Sequence, residues 1–151
     1  MRGEDRLKLT PADSILSKCI RERNNWICEK CGIISDQGRA TGGDRAMQHS
    51  HYQGRKHKRT RYMMENGLCL CAPCHASVEE DPYQHTKLYI SIWGEGMADL
   101  LSQLKRQPYK PIGGWKTFEK EAAAHYRKEF ERMRNLRLNG DMGRIEFEGY
   151  I

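Results

Sequence analysis

Residues able to do chemistry are concentrated in this chain of 151 residues, beginning with two C-x-x-C pairs, Cys28 with Cys31 and Cys71 with Cys74. That spacing sets two thiolates on one tight turn, and two such turns complete the tetrahedron that zinc prefers. The 39 residues between Cys31 and Cys71 are long for a simple ribbon but suit a hairpin and loop closed by a metal. Disulfides are rare in a reducing compartment, so metal is the default use of paired cysteines there. The pairs predict one structural Zn²⁺. Cys69 alternates with Cys71 along a presumed strand and could replace one ligand, although burial is its simpler use. Cys19 sits on the apolar face of a helix, as packing.

The stretch "HSHYQGRKHKRTRYMMENGLCLCAPCH", residues 49–75, holds a second chemistry. Phosphodiester hydrolysis requires an activated water and stabilisation of charge on the phosphate and leaving oxygen. A neutral histidine can take the water's proton near physiological pH, and a divalent ion can stabilise the leaving group. His51, Asn66 and His75 are the candidate catalytic residues, with His75 directly after Cys74, so that a zinc fixing Cys74 also aims His75. His49 and His51 share a face of an extended strand; His49 could join His75 in holding the catalytic ion or be an ordinary exposed histidine. Asn66 precedes Gly67 and could equally be a turn residue. Arg55, Lys56, Lys58, Arg59 and Arg61 place five cations in seven residues with no acid among them. Such runs are often only solvated; beside a phosphate-cutting centre they read as DNA-backbone contacts. His57, inside the run, could touch phosphate or metal.

These residues need elements to hold them. "LTPADSILSKCIRERNN" predicts a helix over 10–24, with Thr10 as cap, Pro11 in the first turn and Asp13 completing a capping box. Leu16, Cys19 and Ile20 are its apolar face, and Arg21 and Arg23 are expected in water. The core, 26–82, reads as a knuckle at Cys28–Cys31, a loose glycine-containing loop, a strand carrying Met47 to Tyr52, a basic loop or short helical turn over 53–62, and a strand into the second knuckle, whose last cysteine opens a helix. Residues 83–105 have helical periodicity interrupted by "WGEG". "RQPYKPIGG", 106–114, reads as a linker. Phe118, Ala122, Tyr126, Phe130 and Met133 form a stripe on a helix over 117–138 that stops at Asn139-Gly140; its cations could extend a DNA surface, or its stripe could serve as a homodimer arm. "GRIEFEGYI" alternates like a short strand, and a mobile tail is the other reading. The organisation is a domain over 1–105, the linker, and a basic extension over 115–151.

Composition narrows the class. With 38% hydrophobic and 30% charged residues the core is thin, and small cores often need a metal staple. A formal charge of +6 points to a polyanionic partner. A membrane is disfavoured, because no helix pairs a bulky apolar face with a basic one. Residues 1–15 lack a signal-peptide core and no run approaches a membrane span, so a cytoplasmic location is expected.

The order of a strand histidine, an intervening asparagine and "LCAPCH" opening a helix resembles the HNH, or ββα-metal, endonucleases. That resemblance implies an α+β fold with a zinc-stapled hairpin and helix. It also implies His51 as general base, His75 as ligand to catalytic Mg²⁺ or Mn²⁺, and Asn66 bracing the loop or helping to hold the ion. Ser50 stands where many HNH proteins carry a metal-binding aspartate. "LTPADSILSKCIRERNNWICEKCG", "SHYQGRKHKRTRYMMEN" and "YISIWGEGMADLLSQLKRQPYK" further resemble the NinG (Rap) recombination endonucleases of lambdoid phages, through Ile20, Arg21 and Arg23; His51 and Tyr52; Thr60, Arg61, Tyr62 and Asn66; and Trp93 with Gly94. The likeness covers roughly residues 8–112 and implies branched recombination DNA as substrate. Two alternatives stand beside it. A non-catalytic zinc DNA-binding module would use the same cysteines and cations without needing His51, and an HNH enzyme could instead serve homing or packaging.

Overall fold

Pro11–Arg23 forms α1, and its start follows from its sequence. The Thr10 hydroxyl accepts from the Asp13 amide at 3.2 Å, while the Asp13 carboxylate accepts from the Thr10 amide at 2.8 Å. The helix ends at Asn24, and the chain turns sharply through Asn25 and Trp26 at φ 51° and 59°. That left-handed turn is unfavourable for non-glycine residues; it is offset by burial of the Trp26 ring, whose Nε1 donates to Glu22 at 2.7 Å. Ala12, Leu16, Cys19 and Ile20 are buried, as the apolar pattern requires. Arg23 corrects the expectation of a wet residue: it is 0% exposed. Its guanidinium donates to the carbonyls of Met64 and Gly67 at 3.2 and 2.9 Å.

The computed structural model describes residues 7–34 and 47–151, so the loop expected after the first cysteine pair lies outside the described residues. Met47–His51 (β1) and Gly67–Cys71 (β2) form an antiparallel hairpin in which Met47 faces Cys71, His49 faces Cys69 and His51 faces Gly67. The connection contains one helical turn, Lys58–Arg61 (α2), and a 3₁₀ turn, Met64–Asn66. Every residue of β2 is buried. Three helices follow: Ala72–Glu80 (α3), Pro82–Trp93 (α4) and Glu95–Leu104 (α5). The break between α4 and α5 falls at Gly94, whose φ of 87° suits glycine.

The last helix, Gly114–Leu138 (α6), packs along α1. Phe118, Ala122, Tyr126 and Met133 are buried there, and the Cys19 thiol donates to the Tyr126 carbonyl at 3.3 Å. The stripe considered as a dimer arm is therefore occupied within the chain. The tail is neither a strand nor loose: Ile145 and Phe147 are buried, and the Ile145 amide donates to the Arg23 carbonyl at 3.0 Å. One apolar core runs through α1, the hairpin, α6 and this tail. Among the described residues the fold is α+β, six helices around one two-stranded sheet.

Candidate metal centre and the histidine-bearing hairpin

The first cysteine pair lies on a knuckle closed by Gly32, whose amide donates to the Cys28 carbonyl at 2.9 Å, and by the bridge between Ile27 and Ile34. The second spans the end of β2 and the first turn of α3. Glu29 ties the two together: its amide donates to the Cys69 carbonyl at 2.8 Å, and its carboxylate accepts from the Cys69 amide at 2.7 Å. The ligand atoms of Cys28, Cys31, Cys71 and Cys74 all lie within 4.8 Å of one another. Cys31 Sγ and Cys71 Sγ are 3.8 Å apart. A tetrahedron of zinc–thiolate bonds near 2.3 Å has edges of about 3.8 Å. Burial raises the Cys28 thiol, but backbone donors, first Cys31, outweigh it and bring it down to about 7. The four cysteines could hold a structural metal ion such as zinc. Cys69 is buried on the hairpin and stands outside that set.

β1 divides the candidate histidines between two faces. His49 and His51 turn toward α1, their rings stacked at 3.9 Å between centroids. The His49 ring fills the space beside Gly67, together with Ile20; a Cβ on Gly67 would meet His49 Nε2 at 2.5 Å, which explains the glycine. Gln48 points to the other face, where its Oε1 lies 2.7 Å from His75 Nδ1. His49 and His75 thus do not converge on one ion, because residues 48 and 49 alternate across the strand. His49 is buried and neither ring nitrogen has a hydrogen-bond partner. Burial holds both imidazoles down, His49 well below the usual histidine value and His51 at about 3, with Arg55 adding to the depression of His51.

Acid should therefore weaken the fold through His49. The unfolded chain takes up a proton near the reference value of 6.5, whereas the folded ring stays neutral, so unfolding binds protons and stability falls as pH drops. Between pH 7.5 and 5.5 this amounts to about 1.4 kcal/mol for one such histidine. Urea unfolding at both values is expected to show a loss smaller by about that amount in His49→Leu than in the parent.

Asn66 is 0% exposed and spends its side chain on one peptide segment. Its Oδ1 accepts from the Gln53 amide at 2.7 Å, and its Nδ2 donates to the Gln53 carbonyl at 2.8 Å. The Tyr52 amide donates to the Asn66 carbonyl at 2.8 Å, so the chain just after His51 is clamped from both ends of this residue. Asn66→Ala leaves two buried peptide groups unpaired, each costing on the order of 1–3 kcal/mol. Chemical unfolding is expected to report destabilisation of that order.

Glu79 and His85, which the sequence reading did not single out, stand with His75. His75 Nε2 is 3.0 Å from Glu79 Oε1, one helical turn on. Both residues also act electrostatically on His85, a half-buried histidine of α4 whose Nε2 is buried without a hydrogen-bond partner. The i, i+4 spacing of His75 and Glu79 was readable; nothing local marks His85. Two imidazoles and a carboxylate, one nitrogen of them unpartnered, are a chemically suitable donor set for a divalent ion. They are more widely spread than the cysteines, the only set among the described residues with all ligand atoms within 4.8 Å.

The basic run is not uniform. Arg61 departs from the phosphate-contact expectation: its side chain is 4% exposed and pairs with buried Asp13 at 2.6 Å. Arg55 lies 3.9 Å from the same carboxylate but is 36% exposed. It helps line a cavity of about 220 Å³ with Leu9, Asp13, Ser14, Ser17, Lys18 and Arg21, the Asp13 carboxylate being paired with Arg61. Lys56 and Lys58 are exposed and Arg59 is half-buried.

No described helix is long and apolar enough to cross a membrane. Comparison with family models, curated proteins and solved structures finds no match to this chain.

Proposed function

We propose that this chain is a metal-dependent DNA endonuclease of the HNH type, hydrolysing phosphodiester bonds from a zinc-stapled ββα centre. The observation that carries the reading is the Asn66 clamp on the loop immediately behind His51. A carboxamide buried to fix the backbone on both sides of Gln53 holds the end of a histidine-bearing strand in place, on a hairpin that leads through the cysteine cluster into His75. Preorganisation of this kind serves a base that has to meet a reacting atom.

His75, Glu79 and His85 would hold the catalytic ion, replacing the pairing of His49 with His75. Bound there, a divalent ion would polarise the phosphate and stabilise the leaving oxygen. Two imidazoles favour Mn²⁺ over Mg²⁺. His51, neutral at physiological pH, accepts the proton of the attacking water. Lys18, Arg21 and Arg55, lining one cavity, seat the phosphate backbone on the His51 side. Among the described residues β1 pairs only with β2. A DNA strand along its other edge would lie within reach of His51 and of the His75 group, and His75 acts electrostatically on His51.

The test is plasmid nicking by the zinc-loaded protein with Mn²⁺ or Mg²⁺, with DNA binding measured alongside. Ion-dependent nicking supports the reading. Binding without cleavage under any ion leaves the non-catalytic zinc module. One observation favours that second reading: His51 stacks on His49 toward α1, with a basicity depressed by burial. The likeness to phage recombination enzymes directs the substrate comparison to four-way junctions and flaps beside linear duplex. Homodimerisation would need a surface other than the α6 stripe.

A further inference from the structure

The segment from Lys105 to Lys116, "KRQPYKPIGGWK", contains four cations and no acid, and the stretch from Gln53 to Met64 is also free of acids. The fold sets them side by side. Arg59 lies 4.5 Å over the Tyr109 ring and Lys58 5.4 Å over Trp115, while the two rings meet edge to face at 5.9 Å. Lys105 acts electrostatically on His57 together with Lys56. The rings thereby restrain two long cationic side chains that would otherwise be loose.

At the tip of the second segment is a turn closed by the Gly114 amide donating to the Pro111 carbonyl at 2.9 Å. Pro111 is buried, which anchors the base of the turn. Gly113 and Gly114 adopt φ of 84° and 86°, a conformation open to glycine and costly for other residues. Their backbone turns Ile112 fully outward, 100% exposed, with Lys110 and Lys116 on either side in sequence. A single exposed apolar side chain is ordinary. One held at the apex of such a turn, in a segment whose only charges are cations, has the form of an intercalating wedge, in which Ile, Leu, Phe or Met enters a base step while cations hold the flanking phosphates.

We infer that the 109–115 turn is a DNA wedge, with Ile112 entering a base step and Lys58, Arg59, Lys110 and Lys116 gripping the backbone around it. The inference rests on the DNA-binding part of the reading above and is independent of cleavage. Unstacking a step costs less where pairing is already imperfect. The ligand chemistry is therefore duplex DNA with a weakened step.

The experiment uses the zinc-loaded full chain without added Mn²⁺ or Mg²⁺, at one salt concentration, on two duplexes. One is fully paired; the other carries 2-aminopurine beside a mismatch. Binding is expected to raise the 2-aminopurine fluorescence and to favour the mismatched duplex. Ile112→Gly is expected to abolish the fluorescence rise and to lower that preference roughly tenfold, equivalent to about 1.4 kcal/mol, with affinity for paired duplex unchanged. Ile112→Phe is expected to restore both, and Arg59→Ala to weaken both duplexes alike. Binding by the parent with no fluorescence change, or equal losses on both duplexes in Ile112→Gly, overturns the wedge alone. Absence of binding to either duplex overturns it together with the DNA-binding reading, whatever the nicking assay returns.

Discussion

Replacing Cys71 by serine is expected to abolish zinc binding and to leave the chain largely unfolded at room temperature. Cys71 is 4% exposed, and its thiol lies in the cluster that joins the first knuckle to β2 and α3. Apparent binding free energies of structural zinc are about 10–16 kcal/mol in zinc-finger peptides, as large as the whole stability of a typical domain. The rest of the fold cannot make up that loss, because among the described residues its sheet has only two strands. Metal content by atomic emission and a thermal melt by circular dichroism check this. A Cys71→Ser protein that melts cooperatively within a few degrees of the parent without metal would remove the ion from the account of stability.

His51→Ala is expected to lower the rate of ion-dependent nicking by about 10²–10⁴, the contribution of a well-placed general base. Affinity for DNA should stay within about threefold, since a neutral imidazole gives no charge to the phosphate contacts that dominate binding. The ring also stacks on His49, so a melt accompanies the assay, and His51→Gln provides a second polar replacement that cannot serve as the base. Equal falls in binding and cutting, tracking a fall in melting temperature, would assign His51 to packing and leave the zinc module as the better account.

Much of the local architecture was readable because it depends on neighbours in sequence. The Thr10–Asp13 box starts α1, the Asn139-Gly140 pair stops α6, and the two C-x-x-C turns declare themselves by spacing. What stayed hidden depends on long side chains and distant partners. Arg23 crosses to the Met64 carbonyl, 41 residues away, and Arg61 to Asp13, 48 away, so two cations that looked solvated are internal. Strand parity correctly grouped His49 with His51. Only the position of α1 reveals that this face is the interior one, and that His75 belongs to the other. His85 joins the candidate ion site through the packing of α3 and α4, which no short motif encodes.

The pairing of the first helix with the last has a consequence for biosynthesis. Leu16, Cys19 and Ile20 of α1 are covered in part by Tyr126 and its neighbours on α6, which leave the ribosome well after α1. At about 5–20 residues per second, the 90 residues between α1 and α6 take roughly 4.5–18 s to emerge. For that interval the apolar face of α1 lacks the cover that α6 supplies. A nascent-chain series should therefore recruit chaperone until α6 clears the exit tunnel, and release it abruptly afterwards.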